Sequence, residues 1–535
     1  MKNTNAAILE LSNVGIGLPL GADRQWAVRD ISLTILPQQT LCLVGESGSG
    51  KSVIAQAIMG ILPAALPLKE GTIKLLGKSI PKQRSPSFNL LRSVKMGMVF
   101  QDAVASLNPI KKVGHQLEEI LLVHGISRKE RKPRVLKMLS AVLLPNPESA
   151  YRSYPHEMSG GQAQRIVIAG ALLLNPSLLV ADEPTTALDV TTQAEILELI
   201  TKLKVEFNTS VLFITHDFGV VSEIGDQIAV MKDGKILEQG SVKNVLKNPQ
   251  NEYTQRLLKA ANLDTSKKKL KETEEILKAD NISLTYKKGF FFNQTKFKAV
   301  QKVSLSLTAG STLAVVGESG SGKSSLAKCL LRLENINAGK IYYRGKDIAD
   351  LKGAQLRNFR SKVQVVLQDP FGALDPRFKI IDAIAEGPII HGSSWDEANS
   401  RAIEMLSLVG LTPQSAERYP QEFSGGQRQR ICIARALIMR PEVLIADEAV
   451  SALDVSIQVK ILDLFEDLQK RLGFAMVFIT HDLHVAAAIS DSVIVMKDGQ
   501  VVESGPTSSV FKNPQAKYTK MLLSSAPGYQ GGEAL

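Results

Sequence analysis

Nowhere does the 535-residue chain approach the roughly 18 uninterrupted apolar residues that a membrane-spanning helix requires. Its start, MKNTNAAILELSN, also lacks the basic-then-apolar pattern of a secretory leader, so a cytoplasmic location is expected. Cysteine is scarce: Cys42, Cys329 and Cys432 each sit in a largely apolar run (LCLVG, KCLLRL, ICIAR), which excludes a disulfide framework or a cysteine metal site and points to buried thiols. Basic blocks are scarce as well. Lys267 to Lys271 (KKKLK) runs straight into Glu272, Glu274 and Glu275, the pattern of a solvated linker. The net charge of +11 alone does not choose between nucleic acid, an anionic membrane leaflet and a plain soluble surface. With 44% hydrophobic and 22% charged residues the chain has a globular balance, and its length suits two domains of about 250 residues.

What is present is repetition. MKDG at Met231 recurs at Met496, NPQ at Asn248 recurs at Asn513, SGGQ at Ser159 recurs at Ser424 and ITHD at Ile214 recurs at Ile479, each 265 positions later. SGSGKS at Ser47 recurs at Ser319, 272 positions later, so the length difference lies between about Lys51 and Ser159, where loops vary at little thermodynamic cost. One domain has been duplicated. The repeated first strands ILELSNV from Ile8 and ILKADNI from Ile276 predict domains over 1–263 and 276–535 with a short linker over 264–275. Within each copy, apolar β-rich runs (TLCLVG, SLLVAD, VLFITH; TLAVVG, EVLIAD, MVFITH) alternate with segments of helical period, which predicts an α/β domain with a mainly parallel sheet.

The motifs fall in the same order twice. GESGSGKS comprises Gly45, Glu46, Ser47, Gly48, Ser49, Gly50, Lys51 and Ser52, and again Gly317, Glu318, Ser319, Gly320, Ser321, Gly322, Lys323 and Ser324. It follows an apolar strand and opens a helix, the setting in which backbone N–H groups and a helix N-terminus bind phosphate, lysine adds charge and serine reaches Mg²⁺. Gln101 (VFQD) and Gln368 (VLQD) come next. Ser159, Gly160, Gly161 and Gln162, matched by Ser424, Gly425, Gly426 and Gln427, then open a long helical segment, a second anion-binding geometry without a lysine. LLVADE and VLIADE place Asp182 beside Glu183 and Asp447 beside Glu448; strand alternation predicts that each pair diverges, one carboxylate toward Mg²⁺ and the other toward water. His216 and His481 follow 34 residues after Asp182 and Asp447. Each of these alone is commonplace, but the ordered set occurring twice is not.

The ordered set resembles the nucleotide-binding domain of ABC proteins over nearly the whole of both halves. The resemblance implies two tandem P-loop domains, each with an added antiparallel β subdomain and a helical signature subdomain. It implies that Glu183 and Glu448 activate water and that His216 and His481 touch the γ-phosphate. Gln101 and Gln368 join Ser52, Ser324, Asp182 and Asp447 around Mg²⁺, while the SGGQ segments are the signatures and Asp189 and Asp454 belong to the D-loop. In that family two domains dock head to tail, so Lys51, Gln101, Glu183 and His216 would share one ATP with Ser424 to Gln427, and Lys323, Gln368, Glu448 and His481 the other with Ser159 to Gln162.

The copies differ where Ala163 and Gly170 stand at the places of Arg428 and Arg435. Tyr286 fits the aromatic that stacks on adenine, whereas the first half has Leu18 there. Unequal nucleotide affinity is therefore expected.

GESGSGKS, SLNP (Ser106 to Pro109), DPFGALDPR (Asp369 to Arg377), EYTQRLL at Glu252 and KYTKMLL at Lys517 resemble the ATPases of dipeptide, oligopeptide and nickel importers, in the fused form serving oligopeptides, glutathione or microcin C. Many relatives add a cysteine cluster after that ending; its absence here removes the expectation of an iron-sulfur site. The implied cofactors are ATP and Mg²⁺. The implied partners are two membrane-spanning permease subunits docking near Gln101 and Gln368 and an extracytoplasmic substrate-binding protein, with the chain peripheral on the cytoplasmic face of the membrane and no nucleic acid bound. A soluble tandem ABC protein acting on ribosomes or nucleic acid is the alternative, weakened by the short linker and by Phe218 and Leu483 after THD. A regulator that does not hydrolyse ATP is opposed by the intact glutamates and histidines.

Overall fold

The computed structural model describes residues 6–526 except 20, 22–23, 47, 82–85, 186–187, 262–273, 289–294 and 452. The chain divides into two compact units, Met1–Ala261 and Asn262–Leu535. Most of the expected linker lies outside the described residues, and its last residue, Glu275, already pairs with Thr308 in a strand.

Each unit is built on a six-stranded sheet. In the first the order is Lys235–Ser241, Gln227–Lys232, Thr40–Gly45, Ser210–Thr215, Leu178–Asp182, Met96–Val99. In the second it is Gln500–Pro506, Ser492–Lys497, Thr312–Val316, Ala475–Thr480, Val443–Asp447, Val363–Val366. All neighbours run parallel except the outermost hairpins, Gln227–Lys232 with Lys235–Ser241 and Ser492–Lys497 with Gln500–Pro506. The central strands read as continuous apolar runs because both faces are covered. Cys42, Val44, Leu179, Ala181 and Phe213 pack to one side, with the helix that follows SGGQ; Leu41, Leu43, Val180, Leu212 and Ile214 pack to the other, with the helix that follows GKS. Each fully buried valine, leucine, isoleucine or phenylalanine among them contributes roughly 1.5–3 kcal/mol.

A four-stranded antiparallel sheet covers that second side, ordered Trp26–Ile35, Leu9–Gly17, Leu68–Leu75, Lys78–Ser79 in the first unit and Thr295–Thr308, Glu275–Lys288, Ala338–Tyr343, Lys346–Asp347 in the second. Helices Val113–Val123, Arg128–Ala141 and Gly160–Leu172, and in the second unit Ile380–Ile390, Trp395–Leu408 and Gly425–Leu437, form the helical part. The expected α/β architecture with an antiparallel sheet in each half is therefore what the chain adopts. The three cysteines are buried and unbridged. Burial pushes the Cys329 thiol up to about 12 and the Cys432 thiol up to about 11, which leaves them unreactive at neutral pH. Among the described residues no helix is long and apolar enough to cross a membrane.

Candidate functional site

Parallel strands gather their carboxyl ends at one edge, and in an open α/β sheet ligands bind outside that edge. The strands ending at Gly45, Asp182 and Thr215 bring three motifs far apart in sequence to one place; those ending at Val316, Asp447 and Thr480 do the same in the second unit.

The helix after the first motif, Lys51–Met59, starts at Gly50 with φ 103° and has no side-chain cap; Lys323–Leu330 starts at Gly322 with φ 99°. The left-handed backbone alone favours glycine, and space demands it, because an added Cβ would lie 2.3 Å from Val28 Cγ1 at Gly50 and 2.2 Å from the Ala299 carbonyl oxygen at Gly322. The uncapped N-terminus leaves its N–H groups to an anion. Lys51 is buried and donates to the carbonyls of Gly45 at 2.7 Å and Glu46 at 3.0 Å; Lys323 donates to those of Gly317 and Glu318, both at 2.8 Å. Of this motif, Ser47 lies outside the described residues.

Ser52 Oγ donates to Asp182 Oδ1 at 3.2 Å and Ser324 Oγ to Asp447 Oδ1 at 3.2 Å. Burial raises the pKa of both aspartates, and the serine hydrogen bonds only partly offset it. A hydroxyl and a carboxylate this close suit Mg²⁺, a hard cation that takes oxygen ligands, few of them from protein, and keeps water and phosphate for the rest.

Strand alternation does not orient the neighbouring glutamates. The strands end at Asp182 and Asp447, and Glu183 and Glu448 take the left-handed backbone conformation, φ 47° and 49°. Their N–H groups are pinned to the carbonyls of Ile214 at 3.0 Å and Ile479 at 2.9 Å. A left-handed glutamate stores roughly 1–3 kcal/mol of strain, the kind the surrounding fold must hold in place. The turn brings the glutamate to two other predicted residues. Gln101 Nε2 donates to Glu183 Oε2 at 3.0 Å and His216 Nδ1 stands 3.4 Å from Oε1. In the second unit Gln368 Nε2 donates to Glu448 Oε2 at 2.8 Å and His481 Nδ1 stands 3.6 Å away. Burial disfavours the charged forms of both Glu448 and His481, but their contact outweighs it: Glu448 is held below the usual carboxylate range and His481 is raised above the usual histidine value.

Ser159 and Ser424 cap the helices Gly160–Leu172 and Gly425–Leu437 in reciprocal boxes. Gln162 N–H donates to Ser159 Oγ at 3.3 Å while Ser159 N–H donates to Gln162 Oε1 at 3.1 Å; the second unit repeats this at 3.4 and 3.0 Å. The glutamine side chain of SGGQ is thus engaged in shaping the helix start. Arg428 Nε donates to the Pro420 carbonyl at 2.7 Å and its guanidinium lies 3.8 Å from the Phe371 ring centre; where Ala163 replaces it, the first unit has Val104 in place of the ring. Arg435 donates to the Ala373 carbonyl at 2.5 Å, a link that Gly170 cannot make. Tyr286 is half-buried on its strand, paired with Phe297, while Leu18 packs against the first unit's core.

Sequence reasoning missed two features. Asp189 caps the helix Val190–Glu206, accepting from Thr192 N–H at 2.9 Å and Thr191 Oγ1 at 2.8 Å; these bonds overcome burial and lower its pKa. The D-x-T spacing was a readable cap signal. Arg24 Nη2 donates to the Gly48 carbonyl at 2.9 Å, from a hairpin that carries no such signal.

A family model described as ABC transporter matches residues 28–186 and 300–451, and one described as Oligopeptide/dipeptide transporter, C-terminal region, matches 237–294 and 502–534. The chain is 42% identical to the peptidoglycan transport ATP-binding protein YejF of Agrobacterium fabrum, over 98% of both chains. It is also 42% identical to the glutathione import ATP-binding protein GsiA of Escherichia coli, over 97% of this chain and 89% of that protein.

Proposed function

This chain belongs to the ABC transporter family, and we propose that it is the ATP-binding, ATP-hydrolysing subunit of an importer for peptides or peptide-like solutes. The observation that carries the reading is the convergence, in both units, of a glutamate with the expected glutamine and histidine beside a phosphate loop. Phosphoryl transfer needs positioning and charge stabilisation more than covalent help. The glycine-rich loop, the helix N-terminus and Lys51 or Lys323 bind the phosphates. Glu183 or Glu448 orients the attacking water and draws its proton, while the adjoining glutamine and histidine hold that carboxylate in place. Ser52 with Asp182, and Ser324 with Asp447, together with Gln101 and Gln368, would hold Mg²⁺, which when bound neutralises phosphate charge.

From the resemblance, each nucleotide is completed by the SGGQ segment of the opposite half, so that ATP binding and release would drive closing and opening. Adenine stacks on Tyr286 in the second half and meets Leu18 in the first, so the two sites differ in affinity.

The permeases are the membrane partners, with an extracytoplasmic binding protein delivering the solute to them, and the chain sits peripherally on the cytoplasmic face. Exposed apolar side chains just past each glutamine, Val104 and Ile110 in one unit and Phe371 and Phe378 in the other, support docking there. ATP turnover by the purified chain, lost when Glu183→Gln and Glu448→Gln are combined, tests the catalytic assignment; co-purification with two integral membrane proteins tests the transport assignment.

A further inference from the structure

The strings EYTQRLL and KYTKMLL lie far from the phosphate loops in sequence and have no part in the chemistry above. In the second unit the tertiary structure brings one of them to the loop. Glu503, on the strand Gln500–Pro506, accepts from the N–H groups of Gln515 at 2.7 Å and Ala516 at 3.1 Å, which fixes the start of the helix Lys517–Ser525. Tyr518, the second residue of that helix, is buried, with Lys497 Nζ 4.7 Å from its ring centre. Its hydroxyl accepts from the N–H of Glu318 at 3.3 Å.

That N–H belongs to the same peptide unit as the Gly317 carbonyl, to which Lys323 Nζ donates at 2.8 Å. One peptide plane is therefore held from both ends, by Tyr518 on its nitrogen and by the phosphate-loop lysine on its oxygen. Glycine is required where that plane begins, because a Cβ on Gly317 would stand 2.2 Å from the Met496 carbonyl oxygen. The first unit shares the surroundings of this frame, and the bond from the loop N–H to the tyrosine hydroxyl is seen in the second unit. Glu238 accepts from Gln250 and Asn251 N–H at 2.8 and 3.1 Å, Tyr253 is buried with Lys232 Nζ 4.8 Å from its ring centre, and Lys51 donates to the Gly45 carbonyl at 2.7 Å.

We propose that Tyr518 is a positioning residue for nucleotide binding: its hydroxyl sets the peptide plane at the entrance of the second unit's phosphate loop and, through it, the direction of the Lys323 ammonium. The C-terminal helix of the second unit is thereby part of its nucleotide site. A peptide free to rotate would let the ammonium follow its carbonyl away from the phosphates, so the loss falls on affinity rather than on the chemical step.

The inference rests on the reading of the two phosphate loops as ATP sites. Its test is Tyr518→Phe in the full chain, which keeps the ring and removes the hydroxyl. Titration calorimetry with Mg·ADP, well below the melting temperature, should show affinity about three- to tenfold weaker at one of the two sites, the worth of one hydrogen bond. The KM for ATP should rise by a similar factor with kcat little changed. Unchanged ADP affinity and unchanged KM, even with a lower melting temperature of the nucleotide-free protein, would overturn the proposal and leave Tyr518 as packing. If the unsubstituted chain binds no ADP, the assignment of the ATP sites fails instead.

Discussion

Replacing Glu448 by glutamine keeps the side chain's shape while removing its charge and its capacity to take a proton. The left-handed backbone at φ 49° is as strained for glutamine as for glutamate, and the Gln368 amide still finds an oxygen acceptor, so the fold should persist, less the stability that the charged His481 contact supplies. Chemistry should change greatly. A positioned general base contributes about 10²- to 10⁴-fold, which at 1.36 kcal/mol per tenfold is roughly 3–5 kcal/mol of barrier. The carboxylate also raises the His481 pKa, so the variant loses that shift along with the base. Measured as phosphate release at saturating Mg·ATP, Glu183→Gln combined with Glu448→Gln should lower turnover about 10²- to 10⁴-fold while nucleotide binding persists. Either single substitution tests the coupling of the sites: independent sites leave about the other site's share, whereas obligatory joint closure brings a single variant down toward the double. A double variant that binds ATP and still turns over within about threefold of the unsubstituted chain would refute the assignment, since no positioned base contributes so little.

The Glu448–His481 contact makes stability pH-dependent. The lowered Glu448 pKa contributes above its ordinary value of 4.5 and is lost as pH falls through the folded value; the raised His481 pKa contributes below its ordinary 6.5 and is lost as pH rises through the folded value. The melting-temperature gap between the unsubstituted chain and His481→Gln should thus be widest between those two values and shrink as pH rises through the folded His481 value; a gap independent of pH would exclude the ion pair. Alanine at Gly50 or Gly322 must combine a left-handed backbone with a Cβ 2.3 Å from Val28 or 2.2 Å from a backbone oxygen. Each should cost more than about 1–3 kcal/mol in urea unfolding, with Gly322→Ala the worse because a carbonyl yields less than a methyl. Arg428→Ala reproduces the first unit's residue but leaves the Pro420 carbonyl and the Phe371 ring without their cation; a loss of about 1.5–3 kcal/mol is expected by the same measurement, against under about 0.5 kcal/mol for the exposed Arg152→Ala.

Much of this was legible in the linear order of residues. Gly50 and Lys51 announce a phosphate loop because the conformation and the charge needed there are properties of single residues and their immediate neighbours. The duplication, the alternation of apolar runs and the buried cysteines were readable for the same reason: each depends on composition and period along the chain. The sequence also marked Gln101, Glu183 and His216 as a set, although nothing in their spacing says that they touch.

Contact was decided by the parallel sheet, which orders its strands differently from the chain and so collects residues more than 80 positions apart at one edge. The left-handed turn at Glu183 and Glu448 came from the same source. Alternation along a strand predicts where a carboxylate points only while the strand continues, and here the left-handed backbone at Glu183 and Glu448 ends it, although their N–H groups still bond to Ile214 and Ile479. Likewise Tyr518 lies 200 positions from Glu318, and only the fold of the last hairpin and helix lays its hydroxyl against the phosphate loop. Local conformation is written in neighbouring residues; which distant groups share one peptide plane or one carboxylate is settled by packing, because the energy that holds them together exists only once the core has closed.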